Sequence, residues 1–422
     1  MNNAAVKLCV LLVLAFNARA SETNSFIDDS HFEFETESLY LKTSTEDKGT
    51  SKQEKTWTEE IGQILRIKYS SGYYNDVLGF DANYYGIGKI NTSTNKVYKS
   101  RSDIFRDVDN SFGKLGYSLN FKVSDELELN AGRMESLHPL LKSDSDALPV
   151  LLQMAGAYYD NGQLSFHGIF VEKGNGQTSR DFEYFGWKNW DSGDFEKRPI
   201  RIVGGEVYGN NYSVYATYGN QEDIANYLLV AAHYNYFVND DFYIDFGSKY
   251  RRKGSKPELG DQHVQMISGQ VNTFYKNINL VLSASKVQDA GDATGTMGPG
   301  WVPGIIRGCT DESFYTSGIV SPGNHYGEAI YKAELGYNFD DLINGLYISG
   351  FYLLGRDFYN IEEDETEFGF RLHYDFPFID GLRLEAEYGK QNIDVRIDSW
   401  DWTMDQYIEN TKVTLTYTAL LF

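Results

Sequence analysis

Apolar and polar residues alternate with period two along most of the chain. Ala329, Tyr331, Ala333, Leu335 and Tyr337 share one phase, while Glu328, Lys332, Glu334 and Gly336 take the other. Phe368, Phe370, Leu372, Tyr374 and Phe376 repeat the pattern against Glu367, Arg371, His373 and Asp375. Leu115 to Val123 and Val413 to Ala419 follow it too. Period two is the mark of a strand with two different faces. Segments of about ten residues suit tilted strands that cross a bilayer.

Connections of two lengths separate these segments in alternation. Short turns such as Ser124-Asp125, Asp160-Asn161-Gly162, Asn239-Asp240 and Lys276-Asn277 carry the Asn, Asp and Gly that hairpins need. Longer polar stretches fall near 42–57, 88–112, 135–150, 173–198, 219–225, 251–262, 288–325, 355–365 and 391–410. The alternation predicts an all-β fold, a transmembrane antiparallel β-barrel of about 18 strands with short periplasmic turns and long extracellular loops. A soluble sandwich would point its apolar faces into a core. Closing this sheet with its apolar face to lipid instead satisfies every backbone group and removes the edges. A barrel of about this size encloses an aqueous channel.

Composition sharpens the picture. The 422 residues include 32 Tyr and 26 Phe, yet mean hydropathy is only −0.44, as expected when half of every strand faces water. Tyr69, Tyr73, Tyr74, Tyr84, Tyr85, Tyr234, Tyr236 and Tyr250 lie near strand ends, where interfacial girdles form. The net charge of −22 argues against nucleic acid as a partner. Two cysteines exclude a disulfide framework or a Cys-rich zinc site. Lys7, the apolar run Leu8 to Phe16 and Ala18-Arg19-Ala20 predict a secretory signal over residues 1–20, cleaved after Ala20. Residues 21–422 are then the mature barrel, destined for the outer membrane of a Gram-negative bacterium.

Particular blocks also resemble a known family. Trp57 to Asp81 reads WTEEIGQILRIKYSSGYYNDVLGFD, similar to the segment that opens OprD-type porins. Phe112 to Gly116 followed by LELNAGR (127–133), Asp144 to Pro149 with Gly156, and the terminal YTALLF are similar to later blocks of that family. The resemblance implies an eighteen-stranded, often monomeric, substrate-selective channel, whereas general porins form trimers. It implies small hydrophilic solutes as partners: basic amino acids, carboxylates or, in some relatives, chitin oligosaccharides. No cofactor is implied. The chain departs from the family's carboxylate channels at Asp146, which stands where they carry an arginine.

With the apolar phase turned to lipid, the other phase sends Arg66, Lys68, Arg201, Lys249, Arg251, Lys332, Arg371, Arg383 and Lys412 into the lumen, among Asp81, Asp245, Glu334, Glu367, Glu385 and Glu387. Paired across strands, these are a solvated wall; as a ladder, the arginines would guide an anion by bidentate contacts. The balance of signs favours a polar, nearly neutral solute. Tyr227, Tyr243, Tyr347 and Phe351 fall on the same phase, to stack on sugar rings or to pack under loops. Asp144, Asp146 and Trp301 are candidates for a constriction. The loop 288–325, rich in Gly and Pro, is expected to fold into the mouth with loops 135–150 and 173–198. Trp187, Trp190, Trp400 and Trp402 are expected in outer loops, and Asp311-Glu312 and Glu362 to Glu365 are expected to face lipopolysaccharide.

Enzyme readings are poor, because neither a G-x-S-x-G elbow nor an H-E-x-x-H pair is present. The sequence predicts a non-enzymatic outer-membrane channel for passive diffusion of small solutes, chitooligosaccharides or other sugars first, amino acids or carboxylates second. A surface adhesin or a barrel hydrolase is a more distant reading.

Overall fold

The computed structural model describes residues 25–47, 55–95, 111–142, 147–176, 179–188, 195–255, 263–289, 315–321, 327–357, 364–397 and 402–421. Asp144, Asp146, Trp190, Trp301, Trp400 and Asp311-Glu312 lie outside them. Eighteen strands form the barrel: β1 His31–Asp47, β2 Lys55–Ser70, β3 Leu78–Thr94, β4 Ser111–Lys122, β5 Leu127–Met134, β6 Leu152–Asp160, β7 Leu164–Gly174, β8 Ile200–Tyr208 and β9 Tyr212–Gln221. The second half comprises β10 Ala225–Asn239, β11 Phe242–Ser255, β12 His263–Tyr275, β13 Ile278–Asp289, β14 Ala329–Asn338, β15 Leu346–Arg356, β16 Glu365–Asp375, β17 Leu382–Ile397 and β18 Trp402–Leu420. Each is antiparallel to its chain neighbours, and β1 pairs with both β2 and β18, which closes the sheet.

The outward phase is the apolar one. Leu115, Leu119, Phe121, Phe166, Phe170, Tyr331, Leu335 and Phe370 are all exposed on the outside, a pattern a watery surface would penalise and lipid rewards. Turns follow local chemistry. In the β6–β7 hairpin the Asp160 carboxylate accepts from the Gly162 amide at 2.8 Å, and Gly162 takes φ +82°, a left-handed conformation suited to glycine.

Several expected loop bounds move. The 391–410 stretch is mostly strand, since β17 continues to Ile397 and β18 starts at Trp402. Trp402 therefore opens a strand, and Trp187 belongs to a small ribbon in which Gly186–Lys188 pairs with Phe195–Lys197. The 219–225 connection shrinks to the few residues between Gln221 and Ala225.

The interior is filled at the long-loop end. Leu140, Leu141 and Val150 pack with Met154, Ile169, Val171, Ile200, Ile202, Tyr227 and Leu229 from the wall. Further along the same loop, Ala147, Leu148 and Leu151 meet Leu39, Leu41, Ile64, Tyr85 and Ile87 on the first three strands. Leu140, Leu141 and Val150 thus pack on the β6–β10 sector of the lumen, and Ala147, Leu148 and Leu151 on the β1–β3 sector. Burying each large apolar side chain favours this by about 1.5–3 kcal/mol. Tyr85 therefore belongs to this inner core and not to the outer aromatic girdle.

Candidate functional site

A second inward segment faces the first. Residues 315–321, the described end of the long 288–325 loop, lie against β10 to β16. Glu367 accepts from the amides of Ile319, Val320 and Ser321 at 2.7, 3.0 and 2.7 Å. Glu365 accepts from the Ser321 hydroxyl at 2.6 Å and from Gln391 at 2.8 Å. Glu365 is fully buried in the wall, so it is not part of a lipopolysaccharide-facing surface as its loop-edge position implied. Ile319 packs on Ile330, Phe351 and Leu353, while the Tyr315 hydroxyl lies 3.1 Å from His233 Nε2.

The first segment is pinned at His138. Its Nδ1 accepts from the Leu140 amide at 3.1 Å, so the proton of the neutral ring sits on Nε2. That nitrogen is 3.0 Å from His167 Nε2 and 2.9 Å from the Tyr215 hydroxyl. Burial, then the neighbouring His167, lowers the His138 pKa to about 3. The ring is thus neutral at any physiological pH.

Below the two loops, toward the short turns, a band of charge runs around part of the wall. Arg66 binds Glu37 at 2.7 Å, also Glu35, and donates to the Ala147 carbonyl of the inward loop at 2.9 Å. Lys68 pairs with Glu33 at 2.9 Å. Glu334 holds Lys332 at 3.1 Å and Arg371 at 3.0 Å, and Arg371 also reaches Glu387 at 3.3 Å. Lys332 donates to the Ser317 carbonyl as well, and both cations sit 4.9 Å from the Phe351 ring centre. Nearer the turns, Asp375 holds Arg383 at 2.9 Å, and His373 bridges Asp375 and Glu385. A cavity of roughly 390 Å³ opens here between Tyr347, Arg371, His373, Glu385, Glu387 and Lys412.

The expected lumenal cations can now be placed. Arg66, Lys68, Lys249, Arg251, Lys332, Arg371 and Arg383 all occupy inward positions. They do not form one cluster: Arg251 is only 1% exposed within the wall, and Lys249 lies 4.4 Å from the Tyr315 ring centre. Arg201 is the exception. Ile200 and Ile202 turn inward, so Arg201 points outward at the rim, 3.6 Å from Glu222. Tyr227 and Phe351 are buried beneath the inward loops, whereas Tyr243 and Tyr347 stay partly open. Sequence reasoning passed over His167, Glu35 and Glu37. Their inward phase was the available signal.

A family model described as outer membrane porin, OprD family, matches residues 24–407. Among solved structures, OccK9 (OpdG) of Pseudomonas aeruginosa is 17% identical, covering 94% of this chain and 100% of its own, with a TM-score of 0.76. OccAB2 of Acinetobacter baumannii is 17% identical over the same shares, with a TM-score of 0.75. OpdK of Pseudomonas aeruginosa, crystallised with vanillate, is 16% identical, with coverage of 94% and 100% and a TM-score of 0.72. No curated protein sequence matches significantly. At such identities the structures establish the fold alone, while the match to the porin family covers most of the chain. The eighteen-stranded barrel, its apolar exterior and this match together place the chain in the OprD family of outer membrane porins.

Proposed function

We propose that the chain, exported by removal of residues 1–20, forms a monomeric passive channel for small, uncharged or weakly charged hydrophilic solutes, chitooligosaccharides or other sugars foremost. The observation that carries this reading is the pairing of the lumenal arginines. Arg66, Arg371 and Arg383 each spend their guanidinium on wall carboxylates, so these three form no row of uncommitted forks for a passing anion. The paired wall instead offers donors and acceptors with little net field, which suits hydroxyls. Acidic outer loops would meet lipopolysaccharide through divalent cations.

The second reading is a carboxylate or amino-acid channel. It is favoured by the likeness to OpdK, solved with vanillate, and by the cavity where Arg371 and Lys412 meet Glu385 and Glu387. Swelling of proteoliposomes separates the two. Chitobiose and glucose should enter faster than benzoate of lower mass; faster entry of benzoate would overturn the sugar reading in favour of the carboxylate one.

A further inference from the structure

One sector of the lumen is lined by aromatic rings and not by charge. Phe237, Tyr243 and Phe274 stand on the adjacent strands β10, β11 and β12, in direct register: Phe237 opposite Tyr243, and Tyr243 opposite Phe274. Tyr243 and Phe274 stack with centroids 4.3 Å apart and planes within 15°, and Phe237 lies 5.7 Å from Tyr243. All three share the inward face with Asp245 and with Gly247, over which the Tyr315 hydroxyl lies. A register shift at Phe237/Asn239 ends the regular pairing there, and bulges of this kind re-aim side chains.

These rings have no structural duty that explains them. Girdle aromatics face lipid at the interface, but these face the lumen. The inward loops cover Tyr227 and Phe351 at the opposite end of the barrel and leave this group open, with Phe237 58% exposed. Polar groups flank the rings on the same face. Asp245 lies one step up the ladder on the same face, partly open to the lumen, and Asn272 and Asn279 stand beside it on the neighbouring strands. Flat apolar faces bordered by an accessible carboxylate match a pyranose, which carries C–H bonds on one face and hydroxyls around its edge.

We propose that Phe237, Tyr243 and Phe274 form a sugar-stacking ledge on the exit side of the constriction. It lies about 14 Å along the strand from the Tyr315 contact at Gly247, taking four residues at ~3.4 Å each. A pyranoside that has passed residues 315–321 settles its ring on Tyr243 and Phe274 before release to the periplasm. This deepens the sugar reading above and rests on it.

The test is single-channel recording of the full-length mature barrel in KCl, with chitohexaose as the probe. Wild type should show discrete current blocks. The double variant Tyr243→Ala/Phe274→Ala should shorten each block by about tenfold, as expected for the loss of two stacking faces, while its open conductance changes little. The swap Tyr243→Phe/Phe274→Tyr keeps both rings and should restore the residence time. Heat-modifiable migration on gels confirms that each variant is folded. Unchanged block times in the alanine variant overturn the ledge and leave the sugar reading standing. Wild-type ion steps without any block overturn the ledge as well, and sugar entry into liposomes then judges the sugar reading separately. Absence of ion steps in a folded barrel removes the channel reading and the ledge together.

Discussion

Glu334 serves two cations at once, Lys332 and Arg371. Replacing it by glutamine removes the one carboxylate that Lys332 and Arg371 share, leaving Lys332 its Ser317 carbonyl and Arg371 its longer contact to Glu387, in a site where both cations are at least partly desolvated. Breaking such a pair costs more than making it gains, because a charge is left behind. Glu334→Gln should lower the unfolding free energy in urea by about 1–3 kcal/mol. The same change should speed benzoate entry into liposomes, since Arg371 is partly released. The lumenal phase of Arg371 and Arg383 was readable because their flanking residues Phe370, Leu372, Leu382 and Leu384 are plainly lipid-facing types. Arg201 was misread for the opposite reason. Its neighbours Ile200 and Ile202 are apolar yet turn inward, so apolar identity stopped marking the lipid side.

Among elements, the inward loops are what periodicity alone could not place. Loop positions carry no alternation, and their destination shows only in the wall they cover: Leu39, Leu41, Ile64, Ile330 and Leu353 put large apolar groups on the lumenal phase near the long-loop ends. Water there would penalise them, so their presence encodes a cover. Asp144, Asp146 and Trp301 lie outside the described residues; Ala147, Leu148 and His138 make the described contacts. His138 gives this element a pH dependence of definite sign. Burial holds its pKa near 3, while an unfolded chain protonates it near 6.5. Acid therefore favours the unfolded state. The stability advantage of wild type over His138→Gln should be complete above pH 6.5 and shrink by roughly 1.4 kcal/mol per pH unit as pH falls toward 3. Melting both proteins in detergent across that window checks it. The second loop depends on Glu367, which takes three consecutive amides. Glu367→Ala leaves those donors unmet and should loosen residues 315–321, raising single-channel conductance.

At the scale of the whole barrel the wall is divided by sector. Acid and base alternate from β14 around to β2, aromatic rings occupy β10 to β12, and the two loops fill the end above both. Along the charged sector Glu33, Glu35, Glu37, Glu334, Asp375, Glu385 and Glu387 slightly outnumber Arg66, Lys68, Lys332, Arg371, Arg383 and Lys412, and the chain as a whole carries −22. Such a lumen is weakly cation-preferring, since the pairs cancel locally and only the excess acts at a distance. Salt sets that distance: screening acts over about 10 Å at 0.1 M and about 3 Å at 1 M. A reversal potential measured across a KCl gradient centred near 0.1 M should therefore show cations favoured. The preference should fade as both sides approach molar salt, and fade again in strong acid, where carboxylates as a class are protonated. A channel built around free arginines would give the reverse sign under the same gradient, and its anion preference would outlast moderate acid. The sign of one potential thus distinguishes a wall of satisfied pairs from a ladder of available cations.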